Sequence, residues 1–314
     1  MKRMPLIVMA GPTAIGKTHL VVEVAKEVPI EIISADSRQI YRMMDIGTGK
    51  PTLEEQQVAR HHLIDIKSPG ETFSAAEFAQ EAIRKINEIR NRGILPVVVG
   101  GTFLYLRALL WGFFETPPKS DEIRTRLKNE IRHLGSARLH RRLIQMDPDA
   151  AKAIHENDQV RIIRALEIIE TTGKTISKLK MEQPAPNAGL FSPLIFALMA
   201  ERGMLNQRID ARVDHMFSHG FVEEVRGLLD AGFSPDLNSF SSLGYRFVSE
   251  HIEGRLTVER AIDATKTQSR RYAKRQMVWL KHDWGFHFLD SVEPGANIAK
   301  LVGECKKVLH EIME

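Results

Sequence analysis

"PLIVMAGPTAIGKT" (residues 5–18) is an apolar run that stops at glycine, a loop of the form G-x-x-x-x-G-K-T, and the start of a helical pattern that continues from Lys17 to Val28. Successive backbone N–H groups can converge on phosphate oxygens only where no Cβ blocks the approach, which accounts for Gly11 and Gly16. Lys17 adds a point charge for the terminal phosphate, Thr18 offers a hydroxyl to Mg²⁺, and the helix N-terminus adds its partial positive charge. Gly11, Pro12, Thr13, Ala14, Ile15, Gly16, Lys17 and Thr18 are therefore expected to hold a diphosphate or triphosphate. The strand, loop and helix context is the one such a loop requires.

Outward from this loop, "IEIISAD" (30–36) reads as a neighbouring strand ending at Asp36, and "HLIDI" (62–66) as a shorter candidate. Ser74 and Glu77 form a capping box ahead of a helix marked by Phe78, Ala82, Ile86 and Ile89, closing at Gly93. "ILPVVVGGT" (94–102) is a continuous apolar run of the kind buried on both faces of a parallel sheet. Strands alternating with helices at this spacing predict an α/β doubly wound parallel sheet of the P-loop type. Ligands bind such sheets at the carboxyl ends of the strands, where Gly11 to Thr18, Asp36 and Thr102 fall.

From about Pro117 the pattern becomes helical and basic, and "EQPAPNAG" (182–189) ends it. "LIFALMA" (194–200) resumes the sheet, helices follow over about 203–231 and 255–282, and Ile298, Leu301, Val302, Cys305, Val308 and Ile312 share one face of a final helix. The expected organisation is a core of residues 1–115 and 190–314 carrying the phosphate loop, with residues 116–189 as a helical insertion. "NDQVRIIRALE" (157–167) puts Arg161 and Arg164 on one helical face, with Ile162, Ile163 and Leu166 on the buried side.

The chain has 314 residues, 43% hydrophobic and 27% charged, which is ordinary for a globular protein. The apolar start stops too soon for a signal peptide, and no stretch approaches ~20 apolar residues, so no membrane span is expected. One cysteine, Cys305, leaves no internal disulfide or Cys-rich zinc site, and a cytoplasmic protein is the expectation. Residues 119–180 hold 14 Lys/Arg against 9 Asp/Glu, and residues 255–282 hold 8 against 2, on an otherwise mildly acidic body. Basic segments of this kind are the footprint of a polyanion-binding surface or of solvated helix faces.

The loop leaves the reaction open. A kinase could use Asp36 as the base for an acceptor hydroxyl. An ATPase would want a long strand ending in Asp, for which "HLIDI" supplies only Leu63, Ile64 and Asp65. Substitution at carbon with pyrophosphate as leaving group would use the same donors to stabilise charge on that group.

"SADSRQIY" (34–41), with the phosphate loop, "DIGTGKP" (45–51), "RHHLIDI" (60–66), "VVVGGTFLY" (97–105), "NDQVRIIRALE" and "RRYAKRQMVWLKH" (270–282), closely resembles the tRNA dimethylallyltransferase, or tRNA isopentenyltransferase, family. The resemblance runs in order from residue 6 to about 290. It implies transfer of a dimethylallyl group from dimethylallyl diphosphate to the exocyclic amine of the adenosine just 3′ of the anticodon, with Mg²⁺ as cofactor. The implied partners are dimethylallyl diphosphate and the anticodon stem-loop of tRNA, with no membrane and no obligate protein partner, the chain acting as a monomer.

By the same resemblance Asp36 is the base, Thr102 sits across from it to position the amine, and Arg208 in "NQRIDARV" reaches the diphosphate. Ser37, Arg38 and Gln39 match contacts to the substrate nucleotide. Arg124, the run Val160, Arg161, Ile162, Ile163, Arg164, and the run Ser241, Ser242, Leu243, Gly244, Tyr245, Arg246 match further tRNA-contacting positions, to which Asp36 and Thr102 also belong. A target base must leave the loop stack to be alkylated, so contacts on its edge and faces are needed.

The sequence departs from the family pattern at Ile15, where a small hydroxyl residue is usual, at Gly49, usually alanine, and at Phe103, usually glycine. Ile15 and Phe103 are expected to narrow the prenyl pocket. "SFSSLGYR" also differs before Gly-Tyr-Arg. His61 and His62 lie at no metal spacing and are read as structural or hydrogen-bonding residues. Asp65 could touch Mg²⁺ through water or end a strand. Arg270, Arg271, Lys274 and Arg275, with Trp279, form either an RNA-facing stripe or a solvated face.

Overall fold

The computed structural model describes residues 3–113, 116–182 and 187–313. Among these, β1 (Met4–Ala10), β2 (Ile30–Ser34), β3 (His61–His62), β4 (Leu95–Gly100), β5 (Phe191–Met199) and β6 (Phe286–Asp290) form one parallel sheet in the order β3-β2-β4-β1-β5-β6. β1, β2 and β4 are almost wholly buried, as strands covered on both faces must be. The chain is α/β, with its phosphate loop following the β1 strand.

The helices, in order, are α1 (Lys17–Ala25), α2 (Leu53–Val58), α3 (Ala75–Arg90), α4 (Phe103–Leu110), α5 (Asp121–Leu134), α6 (Ser136–Met146), α7 (Pro148–Ala153), α8 (Gln159–Thr172), α9 (Ile176–Glu182), α10 (Arg202–Ser218), α11 (Phe221–Asp230), α12 (Tyr245–Ile252), α13 (Val258–Trp279) and α14 (Pro294–Met313). α3 starts at the capping box read from the sequence, Ser74 accepting from the N–H of Glu77 and Glu77 accepting in return from the N–H of Ser74.

The chain divides into two units, Met1–Leu110 with Gly189–Glu314, and Trp111–Ala188. In the first, Ile7, Met9, Ile32, Val97 and Val99 turn one face of the sheet onto Val21, Val24, Leu301, Val302 and Cys305 of α1 and α14. Cys305 is a buried free thiol, and burial pushes its pKa up to about 12. In the second, Leu127, Leu139, Leu143, Ile162 and Leu166 form a core of α5, α6 and α8. The segment expected to end the insertion lies partly outside the described residues, at 183–186.

β3 is two residues long, shorter than the run 62–66 read from the sequence, because Leu63 and Asp65 adopt φ of 62° and 55° and turn the chain out of the sheet. The helices expected over about 203–231 are α10 and α11, divided at Gly220, whose φ is 95°. β6 is an edge strand on which only Leu289 is buried, so it carries little of a strand's apolar pattern. Among the described residues no helix is long and apolar enough to cross a membrane.

Candidate active site

The loop from Gly11 to Thr18 wraps the start of α1. Gly11 (φ 148°) passes so close to β5 that a Cβ there would come within 2.8 Å of the Leu198 carbonyl oxygen. Ala14 and Gly16 hold positive φ, which bends the backbone around Lys17. The Lys17 Nζ donates to the Pro12 carbonyl at 2.7 Å. Burial pulls the Lys17 pKa down to about 8, with Asp36 opposing and Arg212 adding to the fall.

Asp36 follows β2, and its Oδ1 accepts from the N–H of Arg38 at 2.8 Å and of Gln39 at 3.4 Å. The turn that it caps carries Ser37, Arg38 and Gln39. The Ser37 N–H donates to Thr102 Oγ1 at 3.1 Å, which ties this turn to the end of β4. Gln39 donates to the Gly49 carbonyl and accepts from Ser34. Arg38 reaches the Asn238 carbonyl at 2.9 Å and Ser241 Oγ at 3.0 Å.

Two clefts meet at Asp36. The first is lined by Thr13, Lys17, Thr18, Gln39, His61, Gly100, Gly101 and Arg212, among others, and is the phosphate side. The second is lined by Arg38, Ile209, Val213, Met216, Leu243, Gln268, Tyr272 and Arg275, and mixes apolar with polar walls. Thr13, Ala14, Asp36, Thr48 and Arg212 border both.

Three residues of this site were not singled out from sequence. Arg212 donates to Thr48 O at 3.2 Å and to Thr13 Oγ1 at 3.4 Å, and its charge is disfavoured by burial and favoured by Asp36. Gln276 accepts from the Thr13 N–H at 2.9 Å and donates to the Gly101 carbonyl at 2.7 Å, pinning the loop to β4. Tyr272 lies by Thr102, with Arg275 over its ring at 5.6 Å; burial and then Asp36 push its pKa up to about 12.

Arg208 is placed otherwise than expected. It donates to Ile15 O at 3.2 Å and Ser291 O at 3.4 Å, behind the phosphate loop, while Arg212, one helical turn on, takes the position facing Asp36. Ile15 and Phe103 do not narrow the mixed cleft. Ile15 is buried in the sheet core, and Phe103 stacks on Trp279 at 6.0 Å.

Arg124 and Val160–Arg164 belong to the second unit. Ile162 and Ile163 are buried in its core and cannot touch RNA there, whereas Val160 is 72% exposed. Arg161 is exposed and pairs with Asp158 at 3.4 Å. Arg164 donates to Glu167 at 2.7 Å, to Thr116 Oγ1 and to the Pro117 carbonyl, and Arg124 lies 3.5 Å from the same, wholly buried Glu167.

Ser242 and Tyr245 are likewise buried, Tyr245 donating to Glu224 at 2.6 Å, whereas Ser241 and Arg246 are exposed. Gly244 (φ 88°) donates to Gln268, and a Cβ there would strike Phe221. Asp65 pairs with Lys50, away from the phosphate cleft. His62 bonds Glu31 at 2.6 Å inside the protein. Of the basic stripe, Arg270 is spent on Asp210, while Arg271, Lys274 and Arg275 are exposed.

The model of the IPP transferase family matches residues 39–283. The chain belongs to the IPP transferase family. The match starts three residues after Asp36, and relatives of this family extend it over the phosphate loop's side of the chain. "tRNA dimethylallyltransferase 2" of Geotalea uraniireducens is 42% identical over 302 residues, 96% of this chain and 97% of that protein. "tRNA dimethylallyltransferase" of Geobacter sulfurreducens is 44% identical over 278 residues, 88% and 89%. Among solved IPP transferase structures, the full-length tRNA isopentenylpyrophosphate transferase of Bacillus halodurans is similar with TM-score 0.72 and 39% identity, covering 99% of this chain and 98% of that one. A eukaryotic dimethylallyltransferase described as acting on tRNA gives TM-score 0.78 at 30% identity, covering 92% and 74%.

Proposed function

We propose that this enzyme transfers the dimethylallyl group of dimethylallyl diphosphate to the exocyclic amine of the adenosine 3′ of the anticodon in tRNA, releasing pyrophosphate. The observation that carries this reading is the position of Asp36 on the wall shared by a cleft lined by the phosphate loop and a half-apolar one. A carboxylate there faces both the leaving group and the space for the allyl chain and the base. The names borne by relatives at 42% and 44% identity support the same activity.

The amine lone pair of adenine is delocalised into the ring, so the nucleophile needs help. Asp36 accepts the proton that the amine sheds as its nitrogen bonds to the allylic carbon. The carbon–oxygen bond to the diphosphate breaks in the same event, and the departing charge falls to Lys17, Arg212 and the N–H groups of the loop. Arg38, held through its own backbone by Asp36, and Tyr272 with Arg275 supply polar and flat surfaces for the base in the mixed cleft. Ile209, Val213, Met216 and Leu243 keep the allyl group in dry surroundings while it carries positive character.

The phosphate-side cleft suits magnesium. Thr18 brings one hydroxyl oxygen to it, and an ion that keeps several waters and binds through phosphate oxygens needs little more from the protein. When bound, it would offset the diphosphate charge. Exposed Val160 and Arg161, with Arg271 and Lys274 of α13, are the surface groups we assign to tRNA. Both clefts are lined by one unit of one chain, which suits a monomer.

The test is transfer of label from dimethylallyl diphosphate to an unmodified tRNA with an adenosine-rich anticodon loop, with and without Mg²⁺. ATP turnover indifferent to tRNA, with no label transferred, would establish a kinase instead.

A further inference from the structure

His61 opens β3 and is among the residues that line the phosphate-side cleft, with Lys17, Gln39, Glu55 and Arg212. Its Nδ1 lies 2.8 Å from the carbonyl oxygen of Ala59. A carbonyl oxygen can only accept, so Nδ1 carries the hydrogen, and a neutral ring then presents Nε2 as a bare lone pair. That Nε2 is shut off from solvent and has no hydrogen-bond partner among the described residues. A buried acceptor left unmatched is costly, and where one persists something outside the chain is expected to complete it.

The ligand of this cleft, on the function proposed above, is a diphosphate, and its oxygens are acceptors as well. Two facing lone pairs repel. One proton between them makes a charge-assisted hydrogen bond. We propose that His61 is a diphosphate-binding residue that takes up a proton from solvent as the ligand enters, Nε2–H then donating to a phosphate oxygen.

The surroundings permit this change of charge. Burial holds the free ring below its ordinary pKa, against the Ala59 carbonyl and the Glu55 carboxylate, with His62 adding to the fall. The other charged groups on the cleft are Lys17 and Arg212, which oppose an imidazolium, and Asp36, which favours it. Glu55 keeps one oxygen on the Thr52 N–H at 2.9 Å, which holds its side chain near the ring. At neutral pH the free ring is thus neutral, and the charge of an arriving polyanion tips it.

The experiment titrates inorganic pyrophosphate into the full chain at pH 7 by calorimetry, in buffers of different ionisation enthalpy, for the parent, His61→Asn and His61→Gln. The parent is expected to take up about one proton more per site than either variant, and the variants to bind about ten- to a hundredfold more weakly. Nitrogen NMR of the parent alone adds a readout free of any folding defect. The His61 Nε2 resonance should move from the range of a bare imidazole nitrogen to that of a protonated one when pyrophosphate is added.

Equal proton uptake and affinity in the variants, or an Nε2 that stays bare, would overturn the role of His61 and leave the proposed function standing. An Nε2 that stays bare and is broadened when Mn²⁺ replaces Mg²⁺ would overturn it too, making the ring an acceptor from metal-bound water. Failure of the parent to bind pyrophosphate would sink the phosphate cleft itself, and His61 with it.

Discussion

The guanidinium of Arg212 fills the space that a side chain at Gly49 would need. A Cβ on Gly49 would come within 1.8 Å of the Arg212 Nη2, and Gly49 holds a φ of 58°. Glycine is what lets this arginine lie against the loop at Thr48 and over Thr13. Gly49→Ala should push the guanidinium aside and add a left-handed backbone strain of about 1–2 kcal/mol. We expect a Michaelis constant for dimethylallyl diphosphate raised roughly three- to tenfold, with that for tRNA little changed. Arg212→Ala should be more severe, and Arg208→Ala milder than either; steady-state kinetics of the three variants would check the order.

Asp36→Asn keeps the shape of the turn, since the amide oxygen can still accept from Arg38 and Gln39, but removes the proton acceptor. Single-turnover transfer should slow by about 10²–10⁴-fold with both substrates still bound. A rate within threefold of the parent would remove Asp36 from that role.

Lys17, with its pKa pulled down to about 8, gives the diphosphate site a pH dependence whose sign follows from which form the ligand prefers. Below pH 8 the free lysine is charged and makes its full contribution; as pH rises through 8 it loses its proton in the free protein, while the bound anion still demands it. The contribution of Lys17 to pyrophosphate affinity should fall roughly tenfold for each unit above pH 8 until the pKa of the complex is reached, on top of any loss that His61 causes at lower pH. Lys17→Arg, which does not deprotonate, should flatten the decline. A titration between pH 7.5 and 9.5 would read both.

Arg161 and Arg164 are no longer an equivalent pair. Arg161 is exposed, and its removal should lower the slope of log tRNA affinity against log salt by roughly 0.7 to 0.9 if it meets a phosphate. Arg164 neutralises Glu167, which is wholly buried. Arg164→Ala should therefore cost stability, on the order of 1–3 kcal/mol, because among the described residues the carboxylate then keeps Arg124 and the Ser120 N–H. Thermal unfolding would separate the two variants; equal melting temperatures would deny Arg164 a structural role.

The phosphate loop, β2, β4 and Asp36 were legible because each rests on a local rule: glycine where a Cβ cannot fit, and unbroken apolar runs where a strand is covered twice. Which arginine of "NQRIDARV" faces the cleft was not, since Arg208 and Arg212 lie one turn apart and only the packing of Ile209, Val213 and Met216 fixes the rotation of α10. Tyr272 and Gln276 were hidden among basic residues, although Gln268, Tyr272 and Gln276 recur at every fourth position and mark a polar seam on the inner side of α13. The isoleucines beside Arg161 were readable as core from their spacing, and that reading outlasts their assignment to RNA.

Gln276 holds the phosphate loop at Thr13 and the end of β4 at Gly101 with one amide, while Arg271 and Lys274 stand on the outer side of the same helix. Whatever steadies α13 from outside also steadies the loop within. Such linkage is symmetric: a tRNA that improves the grip on diphosphate by some factor must itself be gripped better by that factor once diphosphate is present. Substrates coupled in this way need no compulsory order of entry, and once pyrophosphate departs, the modified tRNA loses the factor that had held it.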